Sequence, residues 1–74
     1  MDIQEFISNL DEVFEETDLT TLSPETNFRN LDEWSSMSVL ALIAFADEKF
    51  NKEIEASEIR QLSTIQDLYN LFTK

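Results

Sequence analysis

The sequence predicts an all-α fold, a small three-to-four-helix bundle with a long ordered connection between its first two helices. Three observations point there. The chain has 74 residues, enough for a single small core, because a chain this short buries only roughly 60 to 65% of its unfolded surface. Glycine is absent and Pro24 is the sole proline, so the Asn-Gly and Asp-Gly signatures of tight β-hairpins do not occur. Apolar residues recur at helical spacing through most of the chain, and at 42% hydrophobic it can collapse despite its charge. One domain spanning residues 1–74 is expected, without internal repeats or low-complexity tracts.

The first helix is predicted over residues 3 to 16. Ile3, Phe6, Ile7, Leu10, Val13 and Phe14 fall on one face, and Asp2 with Glu5 three positions on resembles an acidic capping box. From 17 to 34 the pattern breaks up into Thr, Ser, Asn and Asp around Pro24. The stretch still carries Leu19, Leu22, Phe28, Leu31 and Trp34. A connection this long is unusual in a compact domain, so these apolar side chains are expected to pin it against the helices.

The second helix is predicted over 36 to 50, with Val39, Leu42, Ile43, Ala46 and Phe50 as its core stripe and Met37, Ala41, Ala44 and Glu48 opposite. A short helix over 57 to 61 follows, with Ser57 as its N-cap and Ile59 and Leu62 facing inward. The last helix opens at Thr64, where Asp67 completes an acidic capping box, and turns Ile65, Leu68, Tyr69, Leu71 and Phe72 to the core.

Composition removes several functions. No Cys and no His are present, which excludes thiolate and imidazole ligands, disulfides and every nucleophile or base built on those side chains. Sixteen acidic residues against five basic ones give a formal charge of −11, a surface that repels phosphate backbones and attracts basic patches on proteins. Nucleic acid is therefore not an expected partner. The opening M-D-I-Q-E-F lacks the features of a secretory signal, and no apolar run reaches the roughly 18 residues of a membrane span. A soluble, cytoplasmic, monomeric protein is expected.

An independent enzyme is not expected, since so small a core leaves little room for a concave site. Adjacent carboxylates such as Asp11/Glu12 and Asp47/Glu48 point in different directions on a helix and read as a solvated acidic surface. Trp34 and Tyr69 read as core or edge packing. No calcium loop, zinc signature or phosphate-binding glycine loop occurs.

The stretch W-S-S-M-S at 34 to 38 stands apart by position. With Ser35 as N-cap and Ser36 as the first helical residue, Ser36 lies where free backbone N–H groups and the positive end of the helix dipole favour an attached phosphate. A serine at a helix start is equally well explained as an ordinary cap.

The residues around it add to this. The approach F-R-N-L-D-E-W, the triplet Ser35-Ser36-Met37, the helix S-V-L-A-L-I-A-F-A-D-E-K-F and the segment I-E-A-S-E-I-R-Q-L-S-T-I-Q-D-L-Y together resemble the acyl carrier protein family. There the triplet is normally Asp-Ser-Leu. The resemblance implies that Ser36 takes a 4'-phosphopantetheine arm from coenzyme A through a phosphopantetheinyl transferase. It also implies that the thiol of the arm holds an acyl or aminoacyl group as a thioester. Met37, Leu40, Ala41, Ala44, Asp47 and Glu48 would then lie near or on the face presented to an acyl-loading ligase, synthase or acyltransferase with a basic docking patch.

The sequence departs from the family pattern in instructive places. Ser35 keeps a capping oxygen but lacks the charge of the usual Asp, and Met37 is a mild change from Leu. Ser38 and Ala41 stand where many fatty-acid carriers are acidic, which makes the front of this helix a neutral docking surface and points to a specialised biosynthetic pathway. The expectation is an acyl carrier modified at Ser36. The alternatives are an aminoacyl or D-alanyl carrier, and an unmodified carrier-like module that binds a protein through Met37, Ala41 and Ala44.

Overall fold

The computed structural model describes residues 1–74 and is all-helical, with α1 (Ile3–Asn9), α2 (Ser36–Phe50), α3 (Ala56–Arg60) and α4 (Ile65–Thr73) around one core. Fourteen buried hydrophobic residues make that core. Phe6 sits at its centre with no exposed surface, and its ring lies 5.4 to 5.9 Å from those of Phe45, Phe50, Tyr69 and Phe72. Burying such a side chain stabilises the fold by about 1.5 to 3 kcal/mol, and each well-oriented ring pair adds about 0.5 to 1.5 kcal/mol.

The first helix is shorter than its periodicity predicts. Asp2 caps it by accepting the Glu5 N–H at 2.9 Å, but regular α-helix stops at Asn9 and tightens into a 3₁₀ turn, Leu10–Glu12. The Ser8 hydroxyl and the Asn9 amide turn back to the carbonyls of Gln4 and Glu5, at 3.0 and 2.7 Å. Beyond them Asp11, Glu12, Glu15 and Glu16 crowd the negative end of the helix dipole, with no basic residue in its last turn to offset them. The tighter turn nevertheless keeps Leu10 and Phe14 buried, so the apolar spacing served the core without a continuous helix.

The connection between α1 and α2 is ordered, as the apolar residues in it suggest. It contains two 3₁₀ turns, Leu19–Thr21 and Phe28–Asn30, capped by Asp18 and Asn27. Phe28 is buried, and Leu19, Leu22, Leu31 and Trp34 pack against the core. Main-chain bonds then stitch the loop to the start of α4, from Phe28 N–H to the Ser63 carbonyl at 3.2 Å and from Ile65 and Gln66 N–H to the carbonyls of Thr26 and Pro24 at 3.0 and 2.9 Å. The Arg29 guanidinium adds bonds to the carbonyls of Arg60 and Leu62.

Helix α2 has the predicted bounds, but its buried face is rotated from the predicted stripe toward Ser38 and Phe45. Val39, Leu42 and Ala46 are buried as expected, Phe45 joins them, and Ile43 and Phe50 are only half-buried at the rim. Phe45, which is not in the predicted stripe, is the α2 residue that meets Phe6 edge-on, as Tyr69 and Phe72 do from α4. The helix ends at Asn51 with φ 53°, the left-handed conformation that glycine usually supplies and that asparagine tolerates. Asn51 and Lys52 N–H groups close the end on the carbonyls of Asp47 and Ala46.

Helix α3 starts earlier than predicted. Its N-cap is Glu55, whose N–H is held by the Glu58 carboxylate at 3.3 Å, and Ser57 lies exposed inside the helix. Buried Ile54 anchors the entry one residue before the cap, which sets the frame and displaces the expected Ser57 cap. Helix α4 opens as predicted, with the Asp67 N–H on the Thr64 hydroxyl at 3.2 Å and the Asp67 carboxylate accepting from the Thr64 and Ser63 N–H groups at 3.1 and 3.0 Å. Ile65, Leu68 and Phe72 are buried, while Tyr69 is half-buried with its hydroxyl on the Met1 carbonyl at 2.7 Å. No helix is long and apolar enough to cross a membrane.

The Thr64 and Ser63 N–H bonds hold the Asp67 carboxyl below its ordinary value, against a smaller opposing effect of burial. A depressed folded-state value means that this contribution is present above the unfolded carboxylate range and is lost as pH falls through the folded one. Stability should therefore decline below about pH 4. In Asp67→Asn that acid limb should be shallower in denaturant titrations across pH 2 to 5, and an unchanged limb would assign the decline to other carboxylates.

Candidate functional site

The site is built where the long connection enters α2. Ser35 is fully extended, with φ −157° and ψ 178°, and its hydroxyl accepts the Met37 N–H at 3.2 Å. The Ser38 hydroxyl reaches back to accept the Ser35 N–H at 3.2 Å and donates to the Glu33 carbonyl at 3.3 Å. Ser35 and Ser38 thus form a capping box of two serines, in which each hydroxyl takes an N–H that the helix start would otherwise leave unpaired. The first turn of α2 holds no acidic residue.

Ser36 is exposed at the first helical position, as predicted. Its N–H lies ahead of the helical ladder, and its hydroxyl is not drawn into the capping bonds that engage its neighbours. Behind it the chain is firmly seated. Trp34 lies 5.0 Å from the Phe28 ring and 6.4 Å from that of Phe14, so it is a packing residue that fixes the approach to the helix. The Glu33 carboxylate accepts the Glu16 N–H at 2.8 Å and ties the approach to the turns after α1.

The outward face of α2 brings together most of the predicted docking residues. Met37 is 68% and Leu40 58% exposed, with Ala44, Asp47 and Glu48 also exposed and Ala41 half-buried. Leu40 and Ala44 border a shallow groove that runs to Ile54 and Glu53. Ala41 and Ala44 border a second, of about 180 Å³, that runs to Val13 and Glu12. Ser38 does not belong to this face. It was expected as part of the neutral docking front, but it is 7% exposed and turned inward to serve the capping box.

Charge along this helix is uneven. Lys49 pairs with Glu12 at 2.9 Å, and that carboxylate, chiefly through its hydrogen bond, raises the ammonium above its ordinary value. Lys49 is thus engaged on the α1 side while Asp47 and Glu48 stay exposed. No three carboxylates converge in a geometry that would hold a metal ion.

Glu33 is the residue that sequence reasoning missed, and Ser38 is one that it assigned to the wrong role. The signal for Ser38 was present in the spacing of Ser35 and Ser38, an N-cap hydroxyl and a polar residue three positions on. Glu33 carried no comparable signal, since its partner Glu16 lies 17 residues away in sequence.

Over 67 residues the chain is 33% identical to an acyl carrier protein of Myxococcus xanthus, across 86% of this chain and 85% of the relative. An acyl carrier protein of Micrococcus luteus matches at 33% over 67 residues, across 86% of this chain and 83% of that one. No family model matches the chain. No solved structure matches it either.

The two serines should separate on stability alone. Ser35→Ala removes the cap and should cost about 1 kcal/mol in urea unfolding, whereas Ser36→Ala should stay within about 0.5 kcal/mol of the parent. Equal losses in the two variants would contradict the division of roles.

Proposed function

The chain belongs to the acyl carrier protein family, and from that premise we propose that it is an acyl carrier modified at Ser36 by 4'-phosphopantetheine, serving partner enzymes of a specialised biosynthetic pathway. The observation that carries this reading is the state of Ser36. Its hydroxyl is exposed and unengaged, on the first residue of a 15-residue helix, whose own N–H lies ahead of the helical ladder. A phosphodiester suits that position, because the free N–H and the positive end of the dipole both favour negative charge there.

Each residue of the site then has a task. Ser36 Oγ forms the bond to phosphorus, its proton passes to the transferase, and the adenosine 3',5'-bisphosphate half of coenzyme A leaves. Ser35 holds the helix start without using Ser36. The arm, once attached, supplies a terminal thiol that carries the acyl group as a thioester, which gives a chain without cysteine access to thiol chemistry. Met37, Leu40, Ala41 and Ala44 offer a neutral, partly apolar surface beside the anchor, and Asp47 and Glu48 offer charge to a basic patch on a loading ligase, synthase or acyltransferase. The neutral front of the helix supports the specialised partner set. Bond-making on the cargo belongs to those partners.

Intact mass tests the anchor. Incubation with coenzyme A and a phosphopantetheinyl transferase should add the mass of one phosphopantetheine to the parent and to Ser35→Ala, and nothing to Ser36→Ala. Protein isolated from its own cells that consistently lacks the adduct, together with failure of its cognate transferase to add one, would sink the reading.

A second prediction concerns the acid normally found before the anchor. Ser35→Asp keeps a capping oxygen and supplies negative charge, so it should be loaded faster with little change in folding. Loading at an unchanged or lower rate would show that the charge is immaterial to the transferase of this protein.

A further inference from the structure

Ser36 is held in place entirely by its neighbours. On one side the Ser35 N–H is fixed by the Ser38 hydroxyl and the Ser35 hydroxyl by the Met37 N–H, at 3.2 Å each. The Ser38 hydroxyl then continues to the Glu33 carbonyl at 3.3 Å, and the Glu33 carboxylate to the Glu16 N–H at 2.8 Å. This chain of bonds connects the start of α2, the end of the long connection and the turns that follow α1. It engages neither the N–H nor the hydroxyl of Ser36.

We infer that Ser38 and Glu33 are positioning residues for the transfer of the arm to Ser36, an inference that rests on the carrier reading above. Ser38 is buried, so a transferase docked on Met37 and Leu40 has little of it to touch. Its contribution to transfer passes through the orientation of the Ser35-Ser36 peptide. The hydroxyl of Ser38 is both acceptor and donor in this arrangement, and alanine offers neither. Losing it frees the Ser35 N–H and loosens the peptide that carries the anchor, while the docking side chains beyond the first turn, from Leu40 to Glu48, stay where they are. Displacements of about 1 Å at a reacting group are enough to slow a reaction by up to about 100-fold.

The test measures loading kinetics with coenzyme A and a phosphopantetheinyl transferase, alongside amide hydrogen exchange of the unmodified protein. Ser38→Ala should exchange its Ser35 amide faster and lower kcat for loading about tenfold, with KM for the carrier within about twofold of the parent. Ser38→Thr, which keeps the hydroxyl, should recover most of kcat. Glu33→Ala should fall in the same direction, and Glu33→Gln, which keeps an acceptor for the Glu16 N–H, should stay near the parent. Thr64→Ala removes a helix cap of similar kind at α4 and should leave loading unchanged.

Parent-like kcat in Ser38→Ala would overturn the positioning role even with a faster Ser35 amide. An equal loss in Thr64→Ala would also overturn it, by reducing the effect to general stability. Failure of the carrier reading is visible separately, because the parent itself would then take up no arm.

Discussion

Phe6 lies under four aromatic rings contributed by α2 and α4, and much of the molecule depends on that enclosure. With 74 residues, no disulfide and fourteen buried hydrophobic side chains, few other contacts can hold three helices at fixed angles. Edge-on and tilted ring pairs do so because their geometry is directional as well as apolar. The pairs among Phe45, Phe50 and Phe72 close the cluster from the far side, so α2 and α4 are positioned by each other as well as by α1. A short first helix suffices for this purpose, since Phe6, Ile7 and Leu10 all fall within or just beyond its seven residues.

The core fixes the axis of α2, but the start of that helix needs its own support. It stands at the end of a long connection, and without pins the conformational entropy of that connection would be felt at Ser36. Two sets of contacts oppose this. Phe28 and Trp34 seat the connection on the core, while main-chain bonds to Ser63, Ile65 and Gln66 and the Arg29 guanidinium fasten it to the α3 and α4 segment. The capping serines then complete the last step from the seated loop to the first helical turn. An exposed hydroxyl at Ser36 therefore sits on a well-held backbone, and the side chain can be offered to solvent without the helix end being loose.

Where local chemistry decided the outcome, the sequence was sufficient. The bounds of α2, the Thr64 and Asp67 box of α4, the Asp2 cap and the separate positions of Ser35 and Ser36 all follow from side chains within a few residues of each other. The misses have longer reach. Periodicity through Phe14 suggested a continuous first helix, because the same apolar spacing is satisfied by a helix followed by 3₁₀ turns, and charge at the helix end decided between them. The face of α2 was misjudged because Phe45 and Ser38 are selected by what lies opposite them, a Phe6 ring and a Glu33 carbonyl. Ser57 looked like a cap until burial of Ile54 set the frame of α3. Nothing in the spacing of residues 16 and 33 announces that one holds the other.

In the proposed role, the arrangement of α2 separates two kinds of recognition along one helix. Net charge of −11 would draw a basic partner from a distance, but the charge on α2 itself is concentrated at its C-terminal half, in Asp47 and Glu48, while the only basic residue there is turned aside onto Glu12. Long-range attraction is screened within about 8 Å at physiological salt, so it orients an approaching surface without gripping it. The grip would come from the other half, where exposed Met37 and Leu40 flank the anchor and no carboxylate intrudes on the first turn. A methionine suits such a surface because its unbranched, polarisable side chain can fill pockets of different shape. With serine at position 35 in place of an aspartate and the carboxylates of α2 at its far end, apolar fit would be the main short-range contact beside Ser36 in that role.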